Sequence, residues 1–286
     1  MVFKNILIPI SSEFYSKEVF EQGASLAERF ESKVTIEFII EEKTLSQTEK
    51  RTDTFRTRVE KEETKQVIIN SQRQTADAIV FVDAKLSFES KGITPAKKIM
   101  EGKFSTIIEN EIKASHFDLV LISYEKECLL KYRILNDIDI PLWVTGTPGG
   151  QTLFAVCSNR TPNQKVLQMS QKLAQLLTMD LFLLYIVDVE DTIAYNEHTQ
   201  RYVKMSVTDL LDTGQRFVDD LQIKGIPAHM TTGGVEGKTV QTAKQLNAGL
   251  VVIGQEPKRY DLLGFPVKSI NHRIVEKCKY PILFLK

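Results

Sequence analysis

Few side chains in this protein are chemically sharp, and their spacing limits them at once. The three cysteines, Cys128, Cys157 and Cys278, lie far apart and no two make a CxxC pair, so they encode neither a redox couple nor a zinc knuckle. Cys157 falls in an apolar run and Cys278 in the last helical stretch, where a thiol packs as a small hydrophobe. Cys128, in the turn Glu125-Lys126-Glu127-Cys128, is the one expected at the surface. The four histidines are scattered without metal-ligand spacing. No GxGxxG opens the first helix, and Walker A, HExxH and GxSxG motifs are missing. The remaining chemistry belongs to glycines that stand where strand-like runs end: Gly102 and Gly237 ahead of a helix, and the flexible Thr232-Gly233-Gly234. Such a glycine lets a ligand approach the backbone, or it only opens a helix. The Lys/Glu run over 60–65 reads as a solvated helix face.

These residues need elements to hold them, and the elements are written twice. Lys91-Gly92-Ile93 recurs as Lys224-Gly225-Ile226, and Glu101-Gly102-Lys103 as Glu236-Gly237-Lys238. Asp118-Leu119-Val120-Leu121-Ile122-Ser123 recurs as Gly249-Leu250-Val251-Val252-Ile253-Gly254. Ile140-Pro141-Leu142-Trp143-Val144 recurs as Tyr280-Pro281-Ile282-Leu283-Phe284. Residues 5–40 map onto 152–187 at a constant offset of 147. Repetition on this scale means two copies of one domain rather than a solenoid, and 286 residues suit two domains.

Apolar runs over 5–10, 34–40, 96–100, 118–123 and 142–144 read as strands of the first copy, with helices over 16–31, most of 41–90, and 105–114. The second copy repeats the order: strands at 153–157, 181–187, 228–231, 250–253 and 282–285, helices at 163–177, 201–223, 238–247 and 269–279. Continuous apolar strands alternating with helices predict two tandem α/β domains, each a doubly wound parallel sheet of about five strands. The breaker cluster Thr145-Gly146-Thr147-Pro148-Gly149-Gly150 reads as the linker, placing the domains at 1–147 and 150–286. Thirty-seven basic and 37 acidic residues give no net charge to draw the chain to nucleic acid. No apolar run approaches a membrane span, no signal-peptide order opens the chain, and the cysteine usage suits a reducing compartment, so a cytoplasmic location is expected.

With these elements in order, the chain resembles the universal stress protein family in its tandem form. The resemblance rests on the opening strands, the long second helices, the two Lys-Gly-Ile stops, the Glu-Gly pairs and the Pro-led closing strands, among them Cys278-Lys279-Tyr280-Pro281-Ile282-Leu283-Phe284-Leu285. It implies a Rossmann-like fold with a ligand site at the carboxyl ends of the strands. ATP-binding members of the family carry an Asp at the end of the first strand and a glycine loop, G-x2-G-x9-G-[ST], after the fourth. Glycine N–H groups and the following helix N-terminus then close on the phosphates.

Carried over residue by residue, the Asp position falls at Ser11 and Ser158. The first copy has Ser123 for the loop glycine and no glycine over 124–139, which leaves no room for a phosphate loop. The second keeps Gly254 and Ser269, but has Pro257 and Lys268 for the other glycines; Lys258, Arg259 and Lys268 supply charge instead. Val187 stands where the family's backbone meets adenine. The expected ligand set is therefore Gly254, Ser269, Lys268, Ser158 and Val187, all in the second copy. The plainer alternative makes Ser269 an N-cap and the two serines turn caps.

The expectation is a non-catalytic, cytoplasmic universal-stress-type protein acting by binding or regulation in the stress response. No catalytic or metal residue and no certain cofactor is assigned; ATP, bound weakly, is the one ligand expected, in the second domain only. The first alternative is an enzyme that hydrolyses or transfers phosphate from ATP held between Gly254 and Ser269, with Asp188 the nearest carboxylate for a metal. The second is an interaction scaffold with no small ligand. Family members commonly pair through closing strands, so an intramolecular pseudo-dimer is expected with Trp143 and Phe284 near its seam. Homodimerisation and an unidentified protein partner remain open; nucleic acid and membrane do not.

Overall fold

The computed structural model describes residues 2–42, 57–123, 134–135, 138–190, 192–256 and 269–286. Two compact units emerge, Met1–Ile138 and Asp139–Lys286. The first runs β1 (Asn5–Ser11), α1 (Glu18–Phe30), β2 (Lys33–Glu41), α2 (Arg58–Thr75), a π-helical turn (Ala76–Val80), α3 (Phe81–Glu89), β3 (Ala96–Gly102), α4 (Phe104–Ala114) and β4 (Leu119–Ile122). Its strands are parallel in the order β4-β1-β2-β3. All of β1 after Asn5 is buried, as a central strand covered on both faces requires. Its pairing with β4 stops at Leu7↔Val120, short of Pro9, which has no N–H to donate.

The second unit begins with β5 (Leu142–Val144) and continues β6 (Thr152–Ser158), α5 (Gln164–Leu177), β7 (Asp180–Val187), β8 (Ile193–Asn196), β9 (Arg201–Lys204), α6 (Val207–Ile223), β10 (Ala228–Thr232), α7 (Val235–Gln245), β11 (Leu250–Gly254), α8 (Ile270–Lys277) and β12 (Ile282–Leu285). The sheet order is β10-β7-β6-β11-β12-β5. Every pair is parallel except the last, where Ile282↔Val144, Leu283↔Trp143 and Phe284↔Leu142 run antiparallel. Residues 145–150 are tied to this unit: Thr147 N–H donates to Lys279 at 2.8 Å and Gly149 N–H to Ala248 at 3.1 Å. A Cβ on Gly149 would stand 2.3 Å from the Asn247 carbonyl, so the close approach demands glycine.

Both units are α/β with mostly parallel strands and alternating helices. The Lys-Gly-Ile copies do the same work, with Gly92 at φ 68° and Gly225 at φ 74°. The following isoleucines donate back to Phe88 at 3.1 Å and Leu221 at 2.9 Å, closing each helix. Two expectations need correction. Residues 201–204 are a strand: Tyr202 of β9 stacks edge-on with Tyr195 of β8, its register partner, at 5.4 Å, and that cross-strand pair outweighs local helix propensity. The helix starts at Val207, capped by Ser206, whose hydroxyl accepts from Asp209 N–H at 3.0 Å. Gly102 matches Gly233 rather than Gly237. Gly102 ends β3 at φ 146° and Gly233 follows β10 at φ 135°, each beneath the side chain five residues on, Ile107 or Lys238. Gly237 lies inside α7.

Candidate functional site

In the second unit the carboxyl ends of β6, β7 and β11 are polar yet closed. Ser158, Arg160, Asp188 and Glu256 are each at most 6% exposed. The chain leaves β6 as Ser158-Asn159-Arg160, and the Ser158 hydroxyl accepts from Arg160 N–H at 3.2 Å, making the turn. That turn aims the guanidinium between two carboxylates. Arg160 donates to Asp188 Oδ2, just past β7, and to Glu256 Oε1, just past β11, both at 3.0 Å. The other Glu256 oxygen accepts from the N–H of Ile270, first residue of α8, at 2.8 Å. A helix start offers unbonded N–H groups and the positive end of its dipole. A carboxylate there does what a phosphate does at other helix starts. Asn271 accepts from Glu256 N–H at 3.3 Å.

Asp188 is held at both ends. Its N–H donates to Asn159 Oδ1 at 2.7 Å, and Asn159 Nδ2 donates to the Asp188 carbonyl at 2.9 Å. The β8–β9 hairpin covers this turn: Tyr195 N–H donates to the Asn159 carbonyl at 2.6 Å and the Tyr202 hydroxyl to the Arg160 carbonyl at 3.1 Å. Glu197, between the two strands, accepts from Asn163 N–H at 2.6 Å and Gln164 N–H at 3.3 Å, placing a second internal carboxylate on a helix start, that of α5.

The residues anticipated from sequence fall as follows. Ser158 is fully buried and pairs with the Thr161 hydroxyl at 3.1 Å. Ser269 holds the N-cap position of α8, but its hydroxyl pairs with His272 Nδ1 at 2.8 Å, and Glu256 does the capping. A Cβ on Gly254 would lie 2.3 Å from the Pro162 carbonyl, so the turn after β6 explains this glycine. The Val187 carbonyl accepts from Gly233 N–H at 3.1 Å. Lys268, with Pro257, Lys258 and Arg259, lies outside the described residues, as does Cys128. Cys157 is buried, and burial pushes its thiol far up, as it raises that of Cys278. Among the described residues no three His, Cys, Asp or Glu side chains gather to hold a metal.

The first unit repeats the frame with other chemistry. The Ser11 hydroxyl donates to the Glu41 carboxylate and accepts from Glu13 N–H at 3.1 Å. Ser12 accepts from Glu41 N–H at 3.0 Å, as Asn159 does from Asp188. The offset of 147 sets Glu13 against Arg160 and Glu41 against Asp188. Arg160 and Glu256 were missed from sequence. The reversal from Glu13 to Arg160 opposite a retained acid was the available signal.

With Gly254 packed on Pro162 and Glu256 seated on α8, the described residues fill the start of α8 with the protein's own carboxylate. The buried Ser269–His272 pair has the distance of a nucleophile and base, but the neighbouring carboxylate is engaged by Arg160 and the helix.

Neither a protein-family model nor a curated protein matches the sequence. Solved structures do match its fold. One is a candidate universal stress protein from Pseudomonas aeruginosa UCBPP-PA14, 14% identical, with 99% of this chain and 93% of that one aligned at a TM-score of 0.65. Another is a universal stress protein from Archaeoglobus fulgidus DSM 4304, 12% identical, with 98% of this chain and 96% of that one aligned at a TM-score of 0.64. The likeness is one of fold, and it spans both units: the chain has a tandem universal-stress-protein architecture.

Proposed function

We propose that this is a cytoplasmic, non-catalytic protein of universal-stress type that acts by binding and regulation, with nucleotide affinity weak and confined to the second domain. The observation that carries the reading is the Asp188–Arg160–Glu256 bridge. It fills the strand ends with the protein's own charges and seats a carboxylate on the α8 N-terminus. A nucleotide gains that position only by displacing Glu256, which stands against tight binding. Asp188 is engaged by Arg160 and its own loop, which stands against a metal-assisted hydrolase. No helix among the described residues is long and apolar enough to cross a membrane. The antiparallel β5–β12 pair, the closing strands of the two sequence copies, supports an intramolecular pseudo-dimer in place of the homodimer common in the family.

The test compares the intact protein with Glu256→Gln, which keeps volume and removes the charge. ATP at about 100 times its dissociation constant raises stability by roughly 2.7 kcal/mol. At a fixed millimolar concentration we expect little thermal shift for the wild type and a clear one for the variant, with phosphate release at background in both. Phosphate release by the wild type that disappears in Asp188→Ala would establish the enzyme instead. A large wild-type shift unchanged by Glu256→Gln would remove the bridge from the argument.

A further inference from the structure

One buried acid in the first unit has no part in the strand-end frame. Glu37, in the middle of β2, has no exposed surface, and neither carboxylate oxygen has a hydrogen-bond partner. Its counterpart at the offset of 147 is Leu184, an apolar residue on β7. The second copy thus fills this position with hydrocarbon, and the first fills it with an acid at the cost of desolvating it.

Its neighbours are charged. In register it stands between Pro9 on β1 and Lys98 on β3. The Lys98 ammonium is bound to the carboxylate of Glu111, on the helix that follows β3. On the face of β2 shared with Glu37, Lys33 stands at the exposed start and Glu41 at the end, where Ser11 holds it. β1 contributes no charge. The charges acting on Glu37 are Glu111, which opposes its ionisation, and Lys98, which favours it.

We propose that Glu37, Lys98 and Glu111 form a proton-operated switch in the first unit. With Glu37 neutral, Lys98 ties β3 to α4 through Glu111. When Glu37 ionises, the buried carboxylate draws the ammonium to itself and releases that tie. Lys98 cannot serve two carboxylates equally, and the buried one, in the lower dielectric, attracts it more strongly. The device loosens an edge strand and its helix while β1 and β2 keep their packing.

Burial first, then the Glu111 charge, pushes the Glu37 carboxyl from 4.5 up to about 7. The sign follows. Between these values the folded form keeps a proton that the unfolded form has lost. The stabilisation is full below pH 4.5 and disappears as pH rises through about 7. Between about pH 5.5 and about pH 8.5 this corresponds to roughly a 30-fold change in an equilibrium that exposes the carboxyl.

The experiment is hydrogen exchange on the full chain, corrected for intrinsic rates, from about pH 5.5 to about pH 8.5. It compares wild type, Glu37→Gln and Glu37→Leu, the last installing the second copy's solution. In the wild type, amides of β3 and α4 should lose protection as pH rises, while those of β1 do not. Both variants should keep their protection across the range. Parallel pH profiles in the three proteins would overturn the proposal, as would a Glu37 carboxyl resonance titrating at its ordinary value. If Glu37→Leu does not fold, Glu37→Gln decides.

Discussion

Glu256 differs from a bound phosphate in being covalently attached: its local concentration at the start of α8 does not follow the cell's nucleotide level. The same economy of space explains Gly254. With the Pro162 carbonyl 2.3 Å from where a Cβ would stand, Gly254→Ala must push back the turn after β6. We expect a loss of about 1–3 kcal/mol in chemical denaturation, equal with and without ATP; a larger loss when ATP is present would return this glycine to a ligand role. Ser158, Gly254 and Ser269 were legible as neighbours because strand ends in a doubly wound sheet converge. What occupies that convergence was not legible. Arg160 and Glu256 are ordinary charged residues in sequence, and only the fold reveals that they are buried face to face.

Elements carry their endings in both copies alike. The residue after α1, Glu31, and the residue after α5, Thr178, both take the left-handed conformation, at φ 52° and 55°, and each donates back to an alanine carbonyl, Ala27 or Ala174. Gly92 and Gly225 hold similar left-handed positions after α3 and α6, with open space where a Cβ would go. Substitution there tests backbone strain alone: Gly92→Ala and Gly225→Ala should each cost about 1–2 kcal/mol, read by denaturation. Markedly unequal losses would mean the two stops are not equivalent. Strand cores and the Lys-Gly-Ile stops were readable because apolar runs and glycine act locally. The β8–β9 hairpin was not, since Arg201–Lys204 becomes a strand only against Ile193–Asn196. Gly102 was paired with the wrong glycine because a shared tripeptide is a weaker marker than a shared φ.

At the scale of the molecule, repeat and compact body divide the chain differently. We hold the sequence copies to be 1–147 and 150–286, while compactness divides the chain after Ile138 and gives β5 to the second unit. This decides where the chain should be cut. A fragment covering 139–286 keeps β12 paired and ends its sheet on a three-residue strand, a poor template for association. A fragment beginning at Pro148 bares the edge of Ile282–Leu285. We expect the longer fragment to stay monomeric by light scattering and the shorter one to self-associate; the reverse order would show that β5 is dispensable. The pairing of β5 with β12 also sets a timetable. Roughly 140 residues separate the partners, about 7–28 s of translation at 5–20 residues per second. The β12 face of β5 has no partner until Ile282–Leu285 have been made and have left the ribosome. A nascent chain therefore waits with that edge open, and a stop codon placed just after Pro281 would leave it open for good.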